Sequence, residues 1–209
     1  MSSAKTRHRP LNSKQLQKAT NETFRTPVAY WEQLFESFPF LAKGSILDPS
    51  AGDGRMHMCL PKNSRHMIID IKKRERINWK KHRLHKKVPL ERQIIGNFLE
   101  IKPRKHKFNA VISNPPFSIA RDFVDHGLKF VDTGGYIVML HRIGWIGTID
   151  RSYWLNESCL KYMIVITKRP VWEIDGRDNN RADNIDYAFY VFKKGYNRGA
   201  RIKWLFFDD

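Results

Sequence analysis

Short apolar runs separated by polar turns recur along this chain. Ser45 to Asp48, His66 to Ile71, Ile94 to Phe98, Phe108 to Ile112, Tyr136 to Leu140, Tyr162 to Thr167 and Asp186 to Phe192 each span four to seven residues, the length and texture of sheet strands. Arg201 to Phe206 reads as a short terminal strand, and Gly134-Gly135 as the turn into the strand at Tyr136. Elsewhere the apolar spacing is that of a helix. Thr26 followed by Pro27 predicts a helix start, with threonine as N-cap and proline at the first helical position. Tyr30, Trp31, Leu34, Phe35 and Phe38 continue that helix on one face. A short helix is predicted from Arg55 to Leu60, and Ile119, Phe123, Val124, Leu128 and Val131 mark an amphipathic helix over 119–131. Strands alternating with helices imply an α/β fold: a mostly parallel, seven-stranded sheet with helices on both faces.

Two predicted strand ends carry candidate chemistry, and ligands of α/β sheets sit outside such ends. The fourth strand runs into Asn114-Pro115-Pro116-Phe117. The Asn114 side chain offers a carbonyl that can accept a hydrogen bond from an amine, and the following proline restricts its backbone to extended geometry. Pro115 has no N–H but keeps its carbonyl as a second acceptor. Pro116 stiffens the turn and Phe117 supplies a flat apolar face. Two acceptors and a ring suit a planar group with an exocyclic amine, as in a nucleobase. Over four residues alone, a proline-rich turn that merely closes a strand reads the same way.

The first strand runs into Pro49-Ser50-Ala51-Gly52-Asp53-Gly54, whose small residues let a backbone approach a ligand closely. This turn lacks the third glycine of the dinucleotide-binding pattern and carries Asp48 and Asp53. Those carboxylates suit a positively charged, phosphate-free ligand better than a pyrophosphate. Asp70, at the end of the second strand, can take two ribose hydroxyls.

Charge adds the partner. The 209 residues suit one domain, and their formal net charge is +17, which points to a polyanion such as nucleic acid. Lys72, Lys73, Arg74, Arg76, Lys80, Lys81, Arg83, Lys86 and Lys87 face only Glu75 within one run, making it the first candidate nucleic-acid surface. Lys102 to Lys107 add a second cluster, and a solvated face is the plain alternative for either. Residues 1–20 read as a basic flexible arm (Lys5, Arg7, Arg9, Lys14, Lys18) ahead of the domain at 21–209. No apolar run reaches the roughly 18 residues of a membrane span. With no secretory pattern at the N-terminus, and with Cys59 and Cys159 too far apart for a disulfide framework, a cytoplasmic location is expected. The eight histidines, His82 and His85 among them, form no ligand cluster, so no metal is expected. The polar stretch 168–185 is long for a loop, as functional loops often are, and is expected on the substrate side.

Taken in order, Phe24-Arg25-Thr26-Pro27, Asp48 to Gly54, Asp70 and Asn114 to Phe117 resemble the motifs of class I S-adenosylmethionine-dependent amino-methyltransferases. They are most similar to the adenine-specific DNA methyltransferases of short phage and prophage type, and the resemblance spans residues 21 to about 195. It implies a single Rossmann-like domain. It also implies that Phe24, Thr26 and Pro27, with Asp48, Pro49, Ser50, Ala51, Gly52 and Gly54, hold the methionine part of S-adenosylmethionine, Asp48 near its amino group. Asp70 would bind the ribose, and Asn97 and Phe98 the cofactor adenine. Asn97 stands where the family has Asp, which predicts altered cofactor affinity. Phe189 and Tyr190 match a family position near the target base. Asn114, Pro115, Pro116 and Phe117 would be catalytic, the two acceptors drawing nitrogen density toward the methyl donor while Phe117 stacks on a flipped base.

Family members that read a defined sequence carry a separate recognition region of ~100 residues, which has no counterpart here. Lysine-rich contacts position a backbone without reading bases, so low sequence specificity is expected. An RNA adenine methyltransferase would share every motif. Enzymes acting on guanine amines in RNA or on a glutamine amide share the Asn-Pro-Pro-aromatic signature, and a non-catalytic nucleic-acid-binding protein could keep the scaffold. A role in evading restriction rests on the resemblance alone.

Overall fold

Successive residues of a strand point to opposite faces of its sheet, and the central strands of this chain are apolar on both, so each face is covered. The structure, a computed structural model, describes residues 24–62, 64–71, 93–103, 105–174, 177–178 and 184–207. The predicted arm 1–20 and basic run 72–87 lie outside them. In chain order the strands are β1 Ser45–Asp48, β2 Arg65–Asp70, β3 Gln93–Ile95, β4 Phe108–Ser113, β5 Val131–Arg142, β6 Leu160–Ile166, the two-residue pair β7 Glu173–Ile174 and β8 Arg177–Asp178, then β9 Tyr187–Lys193 and β10 Arg201–Leu205. The helices are α1 Val28–Ser37, α2 Arg55–Met58, α3 Ala120–Gly127 and α4 Ile149–Glu157.

On one face Ile46, Ala110, Ile112, Val138, Leu140, Phe189 and Val191 pack with Trp31, Leu34 and Phe35 of α1. On the other, Leu47, Val111, Ile137, Met139, Ala188, Tyr190 and Phe192 pack with Phe123 and Val124 of α3 and with Trp145. Adjacent residues thus divide strictly between two cores. The main sheet has the order β10-β6-β9-β5-β4-β1-β2-β3. β9 is antiparallel to both neighbours and every other pairing is parallel. From β1 the chain moves out to β2 and β3, then returns to place β4 on the other side of β1. Strand order therefore reverses between β1 and β4, the switch point at which such sheets form a ligand crevice outside their carboxyl ends.

Several boundaries differ from expectation, each for a local reason. The sheet has eight strands, not seven, because β10 pairs along its whole length with β6. β5 starts at Val131 and passes through the Gly134-Gly135 pair instead of turning there. Gly134 takes φ +92°, and a Cβ on Gly135 would lie 2.8 Å from the Cβ of Val131, so glycine absorbs the irregularity and the ladder continues. That early start ends α3 at Gly127, while Ile119 belongs to a 3-10 turn, Phe117–Ile119. α1 begins one residue later than predicted, with Pro27 at the cap and the Thr26 hydroxyl engaged elsewhere. Helix α4 was not predicted, since none of its residues is fully buried and no apolar periodicity marks it.

Candidate active site

The carboxyl ends of β1 and β4 are joined by hydroxyl groups. Asp48, the last residue of β1, is buried, and so is Ser113, the last of β4. Ser113 Oγ donates to Asp48 Oδ1 (2.8 Å), and the Ser50 N–H donates to the same oxygen (3.2 Å). His57 Nε2 lies 3.2 Å from Asp48 Oδ2, a carboxylate, so that nitrogen carries the proton. Ser50 Oγ lies against Ser113 Oγ, whose own proton goes to Asp48, and the single Ser50 proton is shared between that oxygen and the Asn114 carbonyl (3.0 Å). A continuous chain thus runs from His57 through Asp48, Ser113 and Ser50 to the backbone of Asn114. Both Asp48 oxygens are engaged, so this carboxylate shapes the Pro49–Gly54 turn from beneath.

The Asn114 side chain is anchored by its nitrogen alone. Nδ2 donates to the Phe24 carbonyl (3.3 Å) and to Thr26 Oγ1 (3.0 Å). A backbone carbonyl can only accept, so the amide orientation is set and Oδ1 faces away. That oxygen is buried and has no hydrogen-bond partner. The other motif carbonyls are used unevenly. Asn114 O takes Ser50, Pro116 O accepts the Ile119 N–H (3.2 Å), and Phe117 O lies 3.2 Å from His141 Nε2. Asn114 Oδ1, one of the two acceptors expected from sequence, is therefore left open, and an open buried acceptor is costly unless a ligand fills it.

Aromatic rings enclose Phe117. It stacks on Phe24 (centroids 5.8 Å, planes 12° apart) and meets Tyr187 at 6.1 Å; Trp172 closes the ring against Phe24 at 5.7 Å and Tyr187 at 5.1 Å. His141 lies 4.7 Å from Phe117, and the Arg142 guanidinium sits 5.3 Å over the Phe117 ring. Burial lowers the His141 pKa to about 4, only partly opposed by the Phe117 carbonyl, so the imidazole is neutral at pH 7. Trp172, Tyr187, His141 and Arg142 were not singled out in sequence. A usable signal existed for the last two, because two polar residues directly follow the apolar run predicted at 136–140. Trp172 brings the 168–174 part of the predicted functional loop to the motif.

The other predicted cofactor residues are spread along the same crevice. Asp70 Oδ2 accepts the Gly52 N–H (2.8 Å), fastening the glycine turn to the end of β2. Gly52 is exposed, takes φ +53°, and has nothing within 4 Å of where a Cβ would stand. Gly54 takes φ +79° at the start of α2, while Pro49 and Ala51 are buried beneath the turn. Asp53, read as a partner for a cationic ligand, is instead paired with Arg55 (2.6 Å) and Arg25 (3.8 Å). Asn97 caps a 3-10 turn, Phe98–Glu100: Oδ1 accepts the Leu99 N–H (3.1 Å) and Nδ2 donates to Glu100 (2.9 Å). Phe98 is 2% exposed among Phe123, His126 and Phe130, a core ring. Phe189 and Tyr190 are likewise core, on opposite faces, because β9 is buried along both; Tyr187 reaches the motif in their place. Lys102 and Lys105 are exposed but precede β4, about 20 Å of strand from Asn114. No helix among the described residues is long and apolar enough to cross a membrane, and no cluster of three or more metal-ligating side chains occurs among them.

No family model and no curated protein matches this chain by sequence. Solved structures do match its fold. A proposed class I S-adenosylmethionine-dependent methyltransferase from Listeria monocytogenes is similar at TM-score 0.54 and 14% identity, over 91% of this chain and 70% of that one. A proposed RNA methyltransferase from Pyrococcus horikoshii gives 0.54 and 15%, over 83% and 87%. The modification subunit of a proposed type I restriction enzyme from Vibrio vulnificus gives 0.56 and 14%, over 94% of this chain and 50% of that one. At such identities the likeness shows the fold, and the fold is that of the class I methyltransferases.

Proposed function

We propose that this protein transfers a methyl group from S-adenosylmethionine to the exocyclic 6-amino group of adenine in DNA, with low sequence specificity. The observation that carries the reading is the buried Asn114 Oδ1, left without a partner while its own Nδ2 is held by Phe24 and Thr26. An acceptor held ready for an N–H donor, beside the Pro115 carbonyl and a stacking ring, fits an aromatic amine.

The crevice fits the cofactor. The exposed Gly52 backbone and the open space above it would admit the methionine part, and Asp70, at the neighbouring strand end, would take ribose hydroxyls. Bound there, S-adenosylmethionine supplies an electrophilic methyl group. Asn114 Oδ1 and Pro115 O accept the two amine hydrogens of the base, localising its nitrogen lone pair. Phe117 stacks on the extruded ring, an interaction of about 1–3 kcal/mol per base, and alignment of the two reactants can supply roughly 7–11 kcal/mol of the barrier. The amine sheds its proton readily once methylated, so acceptors suffice and no strong base is required.

The test supplies tritiated S-adenosylmethionine to the purified protein and to Asn114→Ala, with unmethylated duplex DNA, its single strands and total RNA in parallel. Mass spectrometry then identifies the modified base. Methyladenine in DNA, abolished by the substitution, is the expected result. Label confined to RNA would replace the substrate, and cofactor binding without label in any nucleic acid would refute the reading.

A further inference from the structure

The segment that leaves β5 shows three features that the fold does not need. First, Ile146, Ile149 and Tyr153 are 37%, 75% and 68% exposed, and the last two lie one turn apart on α4. Scattered exposed apolar residues are ordinary; neighbouring ones on one short element mark a contact surface. Second, Gly144 has neither a positive φ nor any atom within 4 Å of where its Cβ would stand. No internal packing calls for glycine there, whereas a ligand passing close to the backbone does. Third, the segment is anchored to the candidate active site. Trp145 is buried against His141 (4.9 Å), Tyr190 (5.2 Å) and Trp154 (5.7 Å). Arg142 covers Phe117, and Arg151, tied to Thr148 (2.8 Å), lies 5.9 Å over Trp145.

We infer that residues 142–153 form the surface against which DNA lies beside the extruded base, with Ile146 and Ile149 meeting the opened base step and Arg142 and Arg151 meeting phosphates. This rests on the nucleic-acid reading above. DNA is favoured over a protein partner because the exposed apolar residues lie beside Arg142 and Arg151, against one acid, Asp150, in a chain of net charge +17, the complement of a polyanion. Extruding a base leaves an unstacked step, and apolar wedges are the usual side chains that proteins insert at such steps. Glycine at 144 lets the sugar–phosphate chain approach the backbone.

The test measures binding of a short fluorescein-labelled DNA duplex, its single strand and the matching RNA by anisotropy over a salt series. Wild type, Gly144→Ala, Ile149→Ser and Arg151→Gln are compared, with S-adenosylmethionine affinity, melting temperature and sedimentation measured on each. Gly144→Ala and Ile149→Ser should each weaken duplex binding roughly tenfold, the loss typical of a central interface residue, with melting and cofactor affinity unchanged. Arg151→Gln should reduce the salt slope by about 1. Unchanged duplex affinity in both apolar variants overturns the inference. So does weakening confined to RNA, or a wild-type dimer that Ile149→Ser dissociates. Variants that lose duplex binding while the wild type binds DNA but methylates nothing would sustain this surface and refute only the proposed enzyme activity.

Discussion

Removing one hydroxyl group, with Ser113→Ala, tests whether the two motif-bearing strand ends work as one unit. The Ser113 proton goes to a buried carboxylate, and its oxygen meets the Ser50 hydroxyl that holds the Asn114 carbonyl. A hydrogen bond to a charged group contributes about 1.5–3 kcal/mol, and its loss here leaves Asp48 Oδ1 with the Ser50 N–H alone. For a chain of this size each kcal/mol moves Tm by roughly 2–4 °C, so the variant should melt about 3–12 °C lower. Its effect on rate is separate. Asn114 keeps its Nδ2 anchors and the Ser50 hydroxyl on its carbonyl, but Ser50 is no longer fixed by Ser113, and a misplacement of order 1 Å costs about 100-fold in rate. A partial slip should therefore lower kcat roughly tenfold, with a smaller change in KM for nucleic acid. Thermal melts and initial rates with tritiated cofactor read both effects, and Ser113→Thr, which restores the hydroxyl, should recover most of each. Full rate with a lowered Tm would show that Phe24 and Thr26 hold Asn114 unaided. Unchanged Tm would refute the energetic reasoning itself.

Three further outcomes follow from the same geometry. His141 takes up its proton near pH 4 when folded but near 6.5 when unfolded, so the unfolded chain binds more protons between those values. Stability should therefore be constant above about pH 6.5 and fall by up to about 3 kcal/mol as pH drops toward 4, a slope that His141→Phe should flatten in denaturant titrations. Asp53→Asn takes the charge from a carboxylate hydrogen-bonded to the buried Arg55 guanidinium and should cost about 1.5–3 kcal/mol in the same assay. Burial pushes the Cys59 thiol up to about 12 and also raises Cys159, so iodoacetamide at pH 8 should modify neither thiol at the rate of the denatured chain.

The strands were legible because burial on both faces leaves a residue-by-residue signature: Ile46, Ala110 and Ile112 point one way, Leu47 and Val111 the other. Their carboxyl ends were legible for the same reason, and the turns at Asp48 and Asn114 follow directly from them. Helix α4 was not, since Trp154 and Leu155 pack only partly buried against the core and Ile149 and Tyr153 stay outside, giving no stripe to read. Thr26 looked like a cap because Thr-Pro opens many helices; the hydroxyl is claimed instead by an amide 88 positions away. Trp172 and Tyr187 carry no local mark at all, because an aromatic becomes a pocket wall only through tertiary contact.

The same contrast bears on how charge and chemistry divide the molecule. The run 72–87, the largest local charge in the sequence, lies outside the described residues, and the second cluster lies about 20 Å of strand from Asn114. Close to the motif, Arg142 and Arg151 are each laid over an aromatic ring, while Arg25 is paired with Asp53. A guanidinium on a ring keeps its donors at the rim, where a phosphate can reach them. A lysine-rich surface would instead attract DNA without orienting it. If the inferred DNA surface is right, neutralising Lys102 and Lys105 together should weaken binding evenly and leave kcat intact, whereas Arg142→Gln should lower kcat as well, since its guanidinium covers the ring on which the base would stack. Equal losses of binding with kcat untouched in both would place Arg142 among the attracting charges and detach it from the active site.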